Sequence, residues 1–143
     1  MKMKGSRLLQ FIGAIAICFS CQSKSDVQFK QYFVQGEVLY NTHCSNCHQK
    51  NGKGLGLIYP PLDESDYMEN NLEEVLCLMK NGRSGELVVN GRTYNQPMPG
   101  VPTLTNLEIA EIATYIYNTW SHKHGKIELG VVTKALAECK PLP

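Results

Sequence analysis

Apolar residues recur along this chain mainly at the spacing of amphipathic helices. The helical period is clearest over residues 33 to 43, 71 to 81, 105 to 120 and 127 to 140. The run from 75 to 79 is apolar almost all round, so the second of these helices should be well buried. The pattern therefore predicts a largely helical fold.

Capping residues mark the ends of two of these helices. Asn71 is the predicted N-cap of the second helix, with Glu74 three residues later, and Thr105 with Glu108 makes a capping box. Gly82 marks the point where the second helix should stop. These residues support the helix boundaries that the apolar spacing predicts.

The first helix contains a glycine that no cap requires. Its inward side is predicted to comprise Phe33, Val38, Leu39 and Tyr40. A glycine inside a helix costs about 1 kcal/mol relative to alanine. Gly36 therefore indicates the close approach of another backbone, or it is simply tolerated there.

One segment departs from the helical period. Residues 86 to 94 form two β-rich arms joined by Asn90 and Gly91. A type I′ turn needs positive φ at both central positions, and Asn-Gly accepts this readily. The segment therefore predicts a β-hairpin, which leads directly into a loop over residues 94 to 100.

The first residues predict export. Three basic residues precede an apolar run from 8 to 19, which is too short to span a bilayer, and the small Ser20 follows. Residues 1–20 are therefore predicted to be a signal peptide. An exported, periplasmic protein is the expectation.

The same segment resembles a bacterial lipoprotein signal. Cys21 would be the lipid-modified first residue of the mature chain, although Cys18 stands where the pattern usually has leucine. The alternative is an ordinary signal peptide with an incidental Cys21. The polar residues that follow predict a flexible tether over 21–32, so the domain would be attached to a membrane through a lipid anchor.

Size and charge narrow the classes of function. The chain has 143 residues, 43% of them hydrophobic, as expected for one globular domain. Without residues 1–20 it carries 11 basic and 13 acidic side chains, a formal charge of −2. No basic stripe indicates a nucleic-acid partner, and a mildly acidic carrier would be steered weakly towards basic docking patches.

The strongest chemical motif is Cys44-Ser45-Asn46-Cys47-His48. A Cys-x-x-Cys-His sequence is the attachment site of c-type haem, in which two thiols add to the porphyrin vinyl groups and the histidine ligates the iron. A redox dithiol does not need the histidine, and structural zinc usually needs a second ligand pair at similar spacing. The sequence has no such pair.

Residues 33–120 resemble a class I cytochrome c. In that family a glycine and an aromatic residue four positions later cross the last core helix, and Gly36 and Tyr40 match that pattern, with Tyr115 as the facing aromatic. The resemblance implies an all-α cytochrome c fold of three to five helices around a covalent haem c. A small β-hairpin before the methionine ligand loop matches the larger subclass of the family.

Met98 is the predicted sixth ligand of the iron, opposite His48. It lies between two prolines in a loop, and Tyr94 to Gly100 match the ligand loop of that subclass. A thioether suits iron that changes oxidation state and raises its reduction potential. Four other side chains are weaker candidates: Met68, Met79, His122 and His124. The two histidines are predicted to be solvated.

The loop after the motif is predicted to support the haem. A metal-bound histidine normally donates its second ring N–H to a carbonyl, which orients the ring. By resemblance to the family, the Pro60 carbonyl has that role and Leu62 packs on the haem. Pro61 is the competing acceptor.

The tail, residues 121–143, is predicted to be an extension that packs back on the domain. Leu129, Val132, Leu136 and Cys139 recur at helical spacing. Of six cysteines, Cys77 and Cys139 have no other predicted role, so a disulfide is favoured slightly over two buried free thiols.

Together these features predict a non-enzymatic carrier that transfers single electrons between redox partner proteins. With both axial positions filled by protein, the iron would bind no substrate. Two alternatives stay open. One is a sensor or enzyme with a labile sixth ligand, and the other is a haem subunit fixed in a membrane complex.

Overall fold

A computed structural model describes residues 23–140 of the chain. This part contains six helices and four short strands: α1 Lys24–His43, α2 Ser45–His48, α3 Asp66–Asn70, α4 Leu72–Asn81, β1 Gly82–Arg83, β2 Leu87–Val89, β3 Arg92–Tyr94, β4 Met98–Pro99, α5 Asn106–Ile116 and α6 Leu129–Ala137. The predicted signal peptide and Cys21 lie outside the described residues. Between residues 23 and 140, no helix has both the length and the apolar character that a membrane crossing requires.

Helices α1 and α5 cross at Gly36, as the sequence predicted. A Cβ atom at this position would lie 2.0 Å from the carbonyl oxygen of Glu111 and 2.9 Å from Cβ of Tyr115. Tyr40, one turn further along α1, is fully buried and its ring centroid lies 5.4 Å from that of Tyr115. The absence of a side chain at Gly36 therefore sets the distance between the two helices.

Helix α1 begins at Lys24, so the prediction of a flexible tether over residues 21–32 is wrong from Lys24 onward. The ring of Phe29 packs at 5.9 Å from that of Phe33, which in turn lies 5.2 Å from Tyr115 on α5. The sequence did not indicate these contacts, because residues 21–32 are mostly polar. A few aromatic contacts with a distant helix are enough to extend α1 beyond its amphipathic part.

Two further details of the helices differ from the prediction. Val38 is 55% exposed, because it follows Gly36 by two positions and so lies about 200° round the helix from the α5 contact. Helix α5 ends at Ile116 rather than at Trp120. Trp120 adopts φ +52° and its indole N–H donates to the carbonyl of Lys50 at 3.2 Å, so this residue closes over the loop that follows the haem motif.

The predicted hairpin is present and is attached to α3. Strands β2 and β3 are antiparallel, and the turn residues Asn90 and Gly91 have φ of +52° and +71°. The backbone N–H of Asn90 donates to the Asp66 carboxylate at 2.7 Å, and the backbone N–H of Asp66 donates to the Asn90 side chain at 3.0 Å. These reciprocal bonds hold the tip of the hairpin at the start of α3.

The tail docks on the domain through α6, which packs against α4 and α5. Val132 and Ala135 are buried. Leu129, which was predicted to face inward, is 39% exposed. Cys77 on α4 is disulfide-bonded to Cys139, 62 residues later. In the chain-entropy model, closing a loop of this length stabilises the fold by about 4 kcal/mol.

The helix crossing generates a prediction with a matched control. Gly36→Ala should lower the free energy of unfolding by about 3 kcal/mol, because the new methyl group meets backbone atoms that cannot move without separating α1 from α5. Gly130→Ala in α6 has no atom within 4 Å of its new Cβ, and should raise the free energy of unfolding by about 0.5 kcal/mol. Guanidinium unfolding of the two variants measures both values. Equal stabilities for the two variants would contradict the close approach at Gly36.

Candidate functional site

The Cys-x-x-Cys-His motif lies where α1 passes into α2. Cys44 is the C-cap of α1 and the N-cap of α2, and its carbonyl accepts bonds from the N–H groups of Cys47 and His48 at 3.1 and 3.0 Å. Residues three and four positions apart in a helical turn share one face. The two thiols and the imidazole are therefore presented together on one side of the turn.

His48 is held by a single backbone carbonyl. Its side chain is buried, and its Nδ1–H donates to the carbonyl oxygen of Pro60 at 3.1 Å. Burial lowers the pKa of His48, and the bond to Pro60 acts in the opposite direction. The acceptor is Pro60 and not Pro61, and the bond leaves the Nε2 lone pair free for a metal ion.

The loop after the motif brings the Pro60 carbonyl to this position. The N–H of Gly54 donates to the carbonyl of His48 at 3.1 Å, and the N–H of Leu62 donates to the carbonyl of Gly52 at 2.7 Å. Gly54 has φ +64°, and a Cβ atom there would lie 2.6 Å from the Pro60 carbonyl oxygen. Only glycine permits this close return of the chain.

A largely enclosed space adjoins the motif. Three neighbouring cavities that share wall residues make up this space. His48 and Met98 are the two described residues that line all three. Cys44, Cys47 and Leu62 also contribute to the walls, which are mostly apolar. The sequence-predicted residues thus converge on one space.

A second, unpredicted strand pair holds Met98. Strands β1 and β4 are antiparallel, with Arg83 opposite Met98 and Gly82 opposite Pro99. Gly82 has φ +75°, and a Cβ atom there would lie 2.5 Å from the Met98 carbonyl oxygen. Strands of two residues are too short to produce an alternating pattern, so the sequence indicated Gly82 only as a helix stop.

The loop after Met98 is anchored on α4. The N–H of Val101 donates to the carbonyl of Met79 at 2.9 Å, and the ammonium group of Lys80 donates to the carbonyls of Pro102 and Leu104. The loop that follows Met98 therefore has a fixed path along the end of α4.

The other two methionines of residues 23–140 lie in the walls of the same space. Met68 and Met79 are buried, and each lines at most two of the three cavities. His122 and His124 do not line these cavities and instead contact Glu69. His122 is 3% exposed, so the prediction that it is solvated is wrong.

Sequence analysis missed two polar residues at this site. Among the described residues, the buried side-chain atoms without a hydrogen-bond partner are the hydroxyl of Tyr67 and Nε of Arg83. Tyr67 lines the first cavity and Arg83 the second, and the guanidinium of Arg83 binds Glu74 at 2.9 Å. Burial first, and then the Glu74 carboxylate, raises the pKa of Tyr67 above its ordinary value. In the sequence, the indication of a role for Arg83 is its position between Gly82 and Gly85.

These features fit an iron porphyrin. Burial, and then the neighbouring Cys47, raises the pKa of Cys44 to about 11, so this thiol is neutral at pH 7. The two thiols, a free imidazole nitrogen and apolar walls suit the vinyl groups, the iron and the flat ring of such a cofactor. The unpartnered atoms of Tyr67 and Arg83 suit the acidic substituents of such a ring.

The same stretch of chain matches a known family. Residues 33–120 fit the family model for cytochrome c. The chain belongs to the cytochrome c family. Cytochrome c-552 of Thermus thermophilus is 32% identical over 89 residues, which cover 59% of this chain and 67% of that protein. For a second cytochrome c-552, from another Thermus thermophilus source, the identity is again 32% over 89 residues, and the match covers 60% of that protein.

Membership of the cytochrome c family identifies the cofactor as haem c, bound covalently and carrying iron. Proteins of this family use that haem for electron transfer and are usually extracytoplasmic. The matched residues 33–120 include the motif, Pro60, Met98 and the crossing helices. They exclude α6, which is an addition to the matched core.

The loop geometry of this cytochrome c generates a second prediction. Gly54→Ala should cost about 3 kcal/mol of unfolding free energy and raise the reduction potential, because the new Cβ meets the Tyr59 and Pro60 carbonyls and so weakens the hydrogen bond that makes the His48 imidazole more basic. Gly56→Ala meets no atom within 4 Å at a similar φ of +57°, and should cost only about 1 kcal/mol with an unchanged potential.

Redox titration and guanidinium unfolding of both haem-loaded variants measure these effects. The two glycines have similar φ and differ in their neighbours, so the comparison isolates the contact with the carbonyls of Tyr59 and Pro60. The same reduction potential in both variants would show that the Pro60 carbonyl does not influence the histidine.

Proposed function

We propose that this cytochrome c is a single-electron carrier in which His48 and Met98 are the two axial ligands of a haem attached to Cys44 and Cys47. The observation that carries the proposal is that His48 and Met98 alone, among the described residues, line all three neighbouring cavities. They come from distant parts of the chain, one from α2 and one from β4.

The haem supplies an iron that cycles between two oxidation states. The residues of the chain keep the geometry of the site the same in both oxidation states. The Pro60 carbonyl fixes the ring orientation of His48, and the pairing of β1 with β4 limits the movement of Met98. Buried side chains such as Leu78 and Ile112 keep water out of the cavity. Such rigidity favours electron transfer over substrate binding.

Met98 is preferred to the other methionines because of its backbone environment. Met68 and Met79 belong to helices and are 2% and 6% exposed, as expected of side chains that fill the core. Met98 is held in a loop by a strand pair, and its carbonyl contacts Gly82 closely. A ligand in a loop can approach the iron without distorting a helix.

The ligand assignment is tested by Met98→Leu in the haem-loaded protein. This change conserves volume but removes the sulfur, so the iron–sulfur charge-transfer absorption should disappear and the reduction potential should fall by about 0.1 V or more. Met68→Leu and Met79→Leu are the matched controls and should keep both the absorption and the potential. Loss of the absorption in either control, and not in Met98→Leu, would reassign the ligand.

Carbon monoxide distinguishes a carrier from a sensor or enzyme with a labile sixth ligand. The visible spectrum of the reduced wild-type protein should not change with the gas, whereas reduced Met98→Leu should bind it because its sixth position is open. A spectral change in the wild-type protein would favour the labile-ligand alternative. Co-purification with a reductase or oxidase would instead favour a fixed haem subunit.

We also propose that the protein is exported to the periplasm and anchored to a membrane through lipid on Cys21, where it exchanges electrons with redox partner proteins. The sequence around Cys21 and the extracytoplasmic setting of the family support this location. Helix α1 begins three residues after Cys21, so little flexible chain separates the anchor from the folded domain.

The anchor is tested by Cys21→Ser in the full chain. The variant should lose globomycin-sensitive processing and appear in the soluble periplasmic fraction. Cys18→Ser is the matched control and should remain in the membrane fraction. A wild-type mature chain without acyl groups, measured by intact mass, would contradict the lipid anchor.

A further inference from the structure

We propose that Glu69, His122 and His124 form a second metal site, which binds a divalent transition-metal ion such as Zn²⁺ outside the haem cavity. One candidate ligand atom from each of the three residues lies within 4.8 Å of the other two. The residues come from α3 and from the segment after α5, more than 50 positions apart in the chain.

The protonation of His122 can be inferred from its two neighbours. Its Nε2 lies 2.8 Å from the carbonyl oxygen of Leu62, which only accepts, so Nε2 carries the hydrogen. Its Nδ1 lies 2.5 Å from Oε1 of Glu69. In the neutral ring Nδ1 is a lone pair, and a lone pair facing a carboxylate needs a cation between them. That cation is either a proton or a metal ion.

His124 approaches the other oxygen of the same carboxylate. Its Nε2 lies 3.0 Å from Oε2 of Glu69, so two imidazoles converge on one acid. The His122 side chain is 1% exposed, whereas those of His124 and Glu69 are 38% and 44% exposed. One ligand is thus buried and fixed, and the other two border on solvent, which gives an ion a path of entry.

This donor set suits zinc-like ions. Imidazole nitrogen and carboxylate oxygen bind Zn²⁺ at about 2.0 to 2.2 Å, so neighbouring ligand atoms in a tetrahedral site lie about 3.3 Å apart. The two imidazole–carboxylate separations of 2.5 and 3.0 Å are shorter than this, and all three candidate atoms lie within 4.8 Å of one another, so shifts of the partly exposed His124 and Glu69 side chains would be enough to surround an ion. Three protein ligands leave a fourth position for water, and the hard ions Mg²⁺ and Ca²⁺ would be disfavoured by the two nitrogens.

The backbone around the two histidines is ordered by its own bonds. The N–H of His124 donates to the carbonyl of Tyr117 at 3.0 Å. The rings of His124 and Tyr117 pack edge to face, with their centroids 5.1 Å apart. Ser121 donates its N–H and hydroxyl to the Asp63 carboxylate at 3.2 and 2.6 Å. The cluster is therefore assembled before any ion arrives, which reduces the cost of binding.

The loop before α3 orients two histidines in the same way. The Pro60 carbonyl accepts from Nδ1 of His48, and the Leu62 carbonyl accepts from Nε2 of His122. A ring nitrogen bound to a carbonyl, with the other nitrogen directed at a metal, is the usual arrangement of histidine ligands. In His122 one nitrogen binds a carbonyl in the same way, and the other nitrogen is directed at the Glu69 carboxylate.

Zinc titration of the haem-loaded protein tests the proposal. Isothermal titration calorimetry should find one strong site in the wild-type protein. His124→Gln and Glu69→Gln should each weaken it at least tenfold. His43→Gln, which removes the remaining exposed histidine of the described chain, should leave the affinity unchanged. At a zinc concentration that saturates the wild-type protein, the melting temperature of the wild-type protein and of His43→Gln should rise by about 5 to 10 °C, and that of His124→Gln and Glu69→Gln should rise by less.

Zinc-edge X-ray absorption provides a check that does not depend on the variants. Two imidazole ligands with additional oxygen ligands are expected, and zinc bound through sulfur would overturn the assignment. The proposal is also wrong if the wild-type protein binds no zinc, or if His124→Gln and Glu69→Gln bind it as tightly as the wild-type protein. The visible spectrum reports the haem separately, so none of these outcomes depends on the axial ligands.

Discussion

The close contact of α1 and α5 at Gly36 is the constraint on which the rest of the structure depends. Helix α1 ends at the haem motif, so its position relative to α5 determines where the two thiols and His48 face. A carbonyl oxygen of α5 occupies the volume that a side chain at Gly36 would need. The aromatic rings of Tyr40 and Tyr115 then pack beside this contact and make the crossing angle specific.

Around that fixed pair, short segments with little regular structure form the haem site. The return of the chain at Gly54 brings the Pro60 carbonyl to His48, and the β1–β4 pair brings Met98 to the same cavity. Both devices use backbone atoms, because a loop must approach a flat cofactor more closely than side chains would allow. The extra helix α6, joined to α4 through Cys77 and Cys139, stabilises the wall behind them.

The loop between the motif and α3 connects the two metal-related features of the molecule. Its Pro60 carbonyl orients His48, and its Leu62 carbonyl orients His122. The loop is itself restrained by Trp120 and by the bonds between Asp63 and Ser121. An ion at the proposed site of Glu69, His122 and His124 would therefore stiffen the segment that also supports His48.

The sequence by itself determined the haem motif, the helix crossing at Gly36, the capping box at Thr105 and the Asn-Gly hairpin, because each depends on residues close together in the chain or on one family pattern. Only the tertiary structure decided the early start of α1, the outward face of Val38, the pairing that holds Met98 and the burial of His122. Each of these depends on contacts between residues far apart in sequence, and no local pattern of hydrophobic and polar positions records such contacts.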